Sequence, residues 1–264
     1  MPEGHTVHRA ARTQTRLLGG RQIAVSSPQG RFASDAARID GALLRRVEAY
    51  GKHLFYRWDT GEVGHVHLGL FGRFRIREDD PVEPGENVRM RLAAEGVTID
   101  LSGPTICSLD PPDVYTEVIG RLGPDPLQRG SSPDSMVERI SRSGRAIGDL
   151  LMDQSVIAGL GNVYRAELLF VTGVHPLRPG RQIEERTLRS LWDTAVTMLR
   201  DGLSRGRIQT VDRAELGLPP GRRIPRGERT YVYKRDRCLR CGDVIRTVEI
   251  AGRTCYFCPT DQPS

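Results

Sequence analysis

The apolar positions of this chain change period along its length. Over residues 3–18, Val7, Ala10, Ala11, Leu17 and Leu18 approximate a one-sided stripe that Gly19-Gly20 halts, which predicts an N-terminal helix. From Gln22 to about Leu109 short β-rich runs alternate with Gly, Pro and Asp turns. Strands are predicted over 43–50, 53–58, 65–70, 73–77, 88–92 and 97–101, a spacing that suits a sandwich or barrel. Residues 120–133, rich in Gly, Pro and Ser, read as a linker. Helical periodicity follows, with helices predicted over 136–141, 146–153, 162–170 and 184–202. Polar, Pro- and Arg-rich residues 204–229 read as a loop, and 230–264 holds four of the five cysteines. The expected division is 1–120, 121–229 and 230–264.

Composition narrows the class. With 264 residues, 38% of them apolar and 27% charged, the chain suits a globular protein with a substantial core. No run approaches the roughly 20 apolar residues of a membrane helix, and no signal-peptide pattern opens the chain. The expected setting is a reducing cytoplasm. The net charge of +6 favours a polyanionic partner. Eight basic residues between Arg222 and Arg240 face only two acids, Glu228 and Asp236, a plausible phosphate-contacting stripe. Of 39 basic residues only Lys52 and Lys234 are lysines. A lysine kept where arginine is the rule points to proton transfer, which guanidinium cannot perform.

Candidate chemistry lies at both ends. Removal of Met1 would leave Pro2 with a free secondary amine, whose pKa near ~8 against ~10.4 for lysine makes it the better nucleophile at pH 7. Such an amine converts an aldehyde into a cationic iminium, an electron sink, and Glu3 beside it supplies a carboxyl for proton transfer. At the other end, Cys238-x-x-Cys241 and Cys255-x-x-Cys258 resemble a zinc ribbon on a β-hairpin. Cys107 stands alone and reads as a buried apolar residue. The segment 153–164, with Gly159, Gly161 and Asn162 at a helix start, suits a phosphate contact.

Five features in this order carry a family resemblance: Pro2-Glu3-Gly4, Gly51-Lys52-His53, the 153–164 connection, Tyr231-Val232-Tyr233, and Gly252-Arg253-Thr254. Over essentially its whole length the chain resembles the formamidopyrimidine-DNA glycosylase and endonuclease VIII family of base-excision repair enzymes. Pro-Glu-Gly is closer to the endonuclease VIII branch. The resemblance implies an α+β fold: an N-terminal helix on a two-layer β-sandwich, then a helix–two-turn–helix domain with a C-terminal zinc-finger β-hairpin. DNA would lie in a cleft between them.

By the same resemblance Pro2 would attack C1′ of the damaged nucleotide and Glu3 would act as general acid/base. Lys52 would assist sugar opening and touch phosphate. Arg253 would serve the second elimination and, with Asn162, grip phosphates. Leu70 and Phe71 fill the stretch that matches the wedge replacing an extruded base. The implied partner is damaged duplex DNA, with single-stranded and bubble DNA left open, the protein acting as a monomer near the nucleoid. Oxidised bases are the implied substrates, pyrimidines foremost.

The match departs from the family in three places. The family ends in Cys-Pro-x-Cys, whereas here the run is Cys258-Pro259-Thr260-Asp261. Either Asp261 completes a site with Cys238, Cys241 and Cys258, or Cys255 takes the fourth position; the knuckle spacing leans towards Asp261. Thr6 stands where many members carry a second glutamate, and Gly69 is smaller than the common wedge residue. Two other readings compete: a catalytically silent damage- or abasic-site-binding protein, and a zinc-dependent RNA-binding or regulatory module.

Overall fold

In a computed structural model, residues 2–79, 82–219 and 222–264 are described. The chain falls into two compact units, Met1–Arg121 and Leu122–Ser264.

The first unit begins with α1 (Gly4–Leu18), which buries Val7, Ala11, Gln14 and Leu18 at intervals of three and four residues. Gly19 ends it where a Cβ would fall 2.5 Å from the Thr15 carbonyl oxygen. The strands are β1 (Arg21–Gln22), β2 (Ala24–Ser26), β3 (Leu43–Tyr50), β4 (His53–Trp58), β5 (Val63–His67), β6 (Arg73–Glu78), β7 (Val88–Ala94), β8 (Val97–Ser102) and β9 (Ile106–Asp110). They form two antiparallel sheets, ordered β1-β3-β4-β5-β9 and β2-β7-β8-β6. Alternation explains the layers: Leu54, Tyr56 and Trp58 of one sheet share a core with Leu92, Ile99 and Leu101 of the other. Two short helices complete the unit. α2 (Ala33–Ile39), which the periodicity did not predict, buries Ala36 and Ile39, and α3 (Val114–Gly120) sets the Tyr115 ring edge-on to Phe55 at 4.9 Å.

The second unit contains α4 (Asp134–Ser141), α5 (Ile147–Leu150), α6 (Asn162–Val171) and α7 (Glu185–Arg205), then the hairpin of β10 (Arg246–Ile250) and β11 (Arg253–Phe257). Leu188, Leu191, Trp192, Ala195 and Leu199 of α7 meet Leu168 and Leu169 of α6 in one core, into which the hairpin adds Ile250 and Cys255. The described part of the 204–229 stretch, all but residues 220 and 221, is more ordered than its composition suggests. It contains 3₁₀ turns at Ala214–Leu216 and Arg226–Glu228 and buries Val211 and Ile224. None of the helices among the described residues is long and apolar enough to cross a membrane.

Candidate active site and metal centre

In the first unit the candidate chemistry starts at the amino end of α1. Glu3 is fully buried, and its carbonyl accepts the backbone N–H groups of Thr6 at 2.9 Å and Val7 at 3.3 Å. Pro2 is half-buried and lines a hollow of about 680 Å³ together with Thr6, Arg9, Leu68, Leu70 and Phe71. Met1, whose removal would free the Pro2 amine, lies outside the described residues.

The predicted strand over 65–70 stops at His67, and the reason is local. Gly69 adopts φ +62°, where a Cβ would fall 1.9 Å from Thr105 Oγ1, and Gly72 returns its N–H to the Leu68 carbonyl at 2.9 Å. The turn leaves Leu70 57% and Phe71 83% exposed. A strand-core role would bury both, so their apolar surface at the rim of the Pro2 hollow needs another explanation.

Lys52 occupies the tight turn between β3 and β4, beside the left-handed Gly51, and is not among the residues lining the Pro2 hollow. Behind it stands a histidine cluster that sequence reasoning missed. His53 pairs across the strands with His67, and His53 Nδ1 lies 2.9 Å from His65 Nε2. Burial pushes His53 down to about 3, with the neighbouring His67, His65, Arg121 and Lys52 charges adding to the effect. His65 and His67 are lowered by burial as well. The cluster is therefore uncharged at neutral pH. His67 Nδ1 also accepts the Gly69 N–H at 3.2 Å, which braces the Leu70–Phe71 turn.

The second unit carries Asn162 and Arg253. Asn162 opens α6 after Gly161, and Gln154 shapes the preceding turn through the Gly159 N–H at 3.0 Å and the Leu160 carbonyl at 3.1 Å. Asn162 Nδ2 donates to the Thr254 carbonyl at 3.0 Å, so the helix start and the hairpin meet there. Arg253 stands exposed at the first position of β11, after a two-residue turn whose Ala251 and Gly252 both have positive φ.

Cys238, Cys241, Cys258 and Asp261 place their ligand atoms within 4.8 Å of one another. Cys238 Sγ lies 3.2 Å from Asp261 Oδ2, and Cys241 Sγ lies 3.4 Å from Cys258 Sγ. Sulfurs about 3.8 Å apart are expected around tetrahedral zinc with Zn–S near 2.3 Å, so these donors fit that ion. Each knuckle is tied by backbone bonds, Gly242 N–H to the Cys238 carbonyl and Gln262 N–H to the Cys258 carbonyl. Cys255 stays out of the cluster. It points from β11 into the apolar core, because alternate residues of a strand face opposite ways.

Two further charged residues of α6, Arg165 and Glu167, are fully buried, and periodicity gave no sign of them. Glu167 accepts the N–H groups of Tyr231 at 2.7 Å, Val232 at 3.0 Å and Tyr233 at 2.9 Å, and the Thr210 hydroxyl. That carboxylate holds the segment leading into the first cysteine pair.

Family models match along the chain: the formamidopyrimidine-DNA glycosylase N-terminal domain over residues 1–107, its H2TH domain over 122–213, and the zinc finger found in FPG and IleRS over 235–263. The chain is 48% identical over 270 residues to endonuclease 8 1 of Mycobacterium tuberculosis, covering 99% of this chain and 100% of that one. It is 30% identical over 273 residues to formamidopyrimidine-DNA glycosylase of Thermus thermophilus, covering 99% and 97%. The solved MutM (FPG) protein of Thermus thermophilus superimposes with a TM-score of 0.79 at 29% identity, covering 99% and 98%. Lactococcus lactis Fpg, solved with DNA containing an abasic site, matches in fold with a TM-score of 0.81 at 20% identity, covering 99% and 100%. With this α+β architecture and a cysteine-rich finger suited to structural zinc, the chain belongs to the formamidopyrimidine-DNA glycosylase and endonuclease 8 family.

Proposed function

We propose that this protein is a DNA glycosylase with abasic-site lyase activity that removes oxidised bases, pyrimidines foremost, during base-excision repair. The observation that carries the reading is Pro2, next to fully buried Glu3, on a hollow rimmed by exposed Leu70 and Phe71. The positive end of the α1 dipole disfavours a protonated amine at Pro2, which is the direction a nucleophile requires.

In this mechanism the Pro2 nitrogen attacks C1′ of an extruded nucleotide. The C1′–base bond breaks, its electron pair leaves with the base, and the base takes a proton. Ring opening transfers a proton to O4′, for which Lys52 is the donor, and leaves an iminium between Pro2 and C1′. Glu3 accepts the proton that the Pro2 nitrogen gives up on bonding to C1′ and relays protons at the sugar. A base takes the C2′ proton, the C–H electron pair flows into the iminium to give an enamine, and the enamine expels the 3′ phosphate. A second elimination expels the 5′ phosphate with Arg253 as its assistant, and water then hydrolyses the imine to free Pro2. Leu70 and Phe71 fill the gap left by the base, as apolar wedges do. Asn162, Arg253 and Lys52 hold phosphates. Zinc bound by Cys238, Cys241, Cys258 and Asp261 would be structural, keeping the Arg253 hairpin folded. Duplex DNA is the primary partner, with single-stranded and bubble forms as further candidates. The protein acts as a cytoplasmic monomer associated with the nucleoid.

Borohydride trapping on a duplex bearing one abasic site tests this reading, using protein with a verified Pro2 terminus. A covalent adduct mapped to Pro2 is expected, and one residue added before Pro2 should abolish it. Tight binding without an adduct would favour the silent damage-binding alternative.

A further inference from the structure

Arg165 is fully buried in α6, yet its guanidinium meets amide oxygens rather than carboxylates. One end donates to the carbonyls of Gly148 at 3.3 Å and Ile250 at 3.5 Å. The other donates to the carbonyls of Arg253 at 3.4 Å and Thr254 at 3.2 Å, and to Asn162 Oδ1. Its Nε has no hydrogen-bond partner among the described residues. Asp149 and Glu249 act on it only as more distant charges. A buried cation left without a counter-ion is destabilising, so its placement at the junction of α6 and the hairpin calls for a reason.

Donor chemistry supplies one. A guanidinium only donates hydrogen bonds, so the Asn162 atom facing it must be the amide oxygen. That fixes the amide flip. Nδ2 is turned the other way, with one hydrogen on the Thr254 carbonyl at 3.0 Å and the second left to point elsewhere. With methionine at 165, the Thr254 carbonyl alone would hold this flip, and the reverse, which offers an oxygen to an incoming anion, would lie closer in energy.

We infer that Arg165 is a positioning residue that locks the Asn162 amide with its NH₂ outward and, through the same guanidinium, fixes the Arg253–Thr254 backbone, so that both present donors to one DNA phosphate. That phosphate supplies the negative charge the buried guanidinium lacks. The inference rests on Asn162 being a phosphate ligand.

A double-mutant cycle on the full, zinc-loaded chain separates the two. The readout is affinity for a duplex carrying a tetrahydrofuran abasic analogue. Asn162→Ala and Arg165→Met should each weaken binding about tenfold, the scale of one hydrogen bond to a charged group. The double variant should lose clearly less than the product of the two single losses, because Arg165 acts in part through Asn162. Losses that multiply to about a hundredfold would reduce Arg165 to a structural role and overturn the inference alone. Unchanged affinity for Asn162→Ala would overturn the phosphate-ligand reading and the inference with it. Should Arg165→Met fail to fold, Asn162→Asp decides. Its carboxylate pairs with Arg165, so it should melt above Asn162→Ala with zinc retained, while binding DNA more weakly than Asn162→Ala. A lower melting point or stronger binding than Asn162→Ala would overturn the inference.

Discussion

Replacing Glu167 by glutamine changes one atom and tests how the chain entering the zinc finger is held. The carboxylate serves four donors in two pairs: Oε2 takes the Tyr231 N–H and the Thr210 hydroxyl, and Oε1 takes the Val232 and Tyr233 N–H groups. Burial raises the carboxyl's pKa and these four donors oppose the rise. Glutamine offers one oxygen and one NH₂, so one pair must face a donor. The better flip puts NH₂ at the Oε2 position. There the Thr210 hydroxyl can turn fully to the Arg229 carbonyl, already 3.2 Å away, and become an acceptor. Only the Tyr231 N–H is then stranded, at about 1–3 kcal/mol, and the lost charge weakens the remaining bonds. We therefore expect Glu167→Gln to lose about 2–3 kcal/mol, whereas Glu167→Ala, which strands all three N–H groups, should lose about 4–5 kcal/mol, near the figure for breaking a buried pair. At roughly 2–4 °C per kcal/mol for a chain of this size, the glutamine variant should melt about 5–10 °C lower. Thermal unfolding with parallel zinc analysis is the assay. A glutamine variant melting within about 2 °C of the parent, or below the alanine variant, would refute the donor count.

Three other outcomes follow from the geometry. Cys255→Ala should keep full zinc stoichiometry and lose stability only through the small void it leaves in the core, whereas Asp261→Ala should release zinc to a competing chelator much sooner; zinc loss from Cys255→Ala would restore it as a ligand. Phe71→Ala should change stability by less than about 0.5 kcal/mol, since the ring is 83% exposed, while slowing base removal from duplex DNA more than cleavage of a preformed abasic site; equal rates on both substrates would remove Phe71 from base extrusion. The pH dependence has a definite sign. His53 titrates near 3 folded but near ~6.5 unfolded, so between those values the unfolded chain binds more protons and stability falls as pH drops. His53→Asn should flatten the decline in melting temperature between about pH 6.5 and 4, and an unchanged slope would show that the cluster is not the source.

Much of the architecture is local and was legible in order. β3 and β4 run over 43–50 and 53–58 as predicted, because a Gly-containing turn separates two strongly β-forming stretches. α1 and α6 likewise begin within a residue of their expected starts, since glycine and the apolar stripe mark them in the chain itself. Cysteine spacing pointed to a four-donor finger, because ligand geometry limits how far apart the knuckles lie.

Other features depended on residues distant in sequence. The turn after β5 must carry glycine at 69 because a Cβ there would meet Thr105 Oγ1, thirty-six positions away, a constraint that local pattern cannot contain. Asp261 rather than Cys255 joins the thiols because the pairing of β10 with β11 turns Cys255 towards the helical core. Residues 204–229 read as a loop in the sequence, since the order of the described ones comes from buried Val211 and Ile224 and from Thr210 bonded to Glu167. Arg165 and Glu167 point from different sides of α6 that composition would assign to solvent, and they are buried because distant backbone carbonyls and N–H groups satisfy them. What the chain determined by itself was where backbone conformation changes. Which side chains share an environment was decided only when the tertiary structure brought their partners together, because burial and hydrogen bonding are properties of neighbours in space.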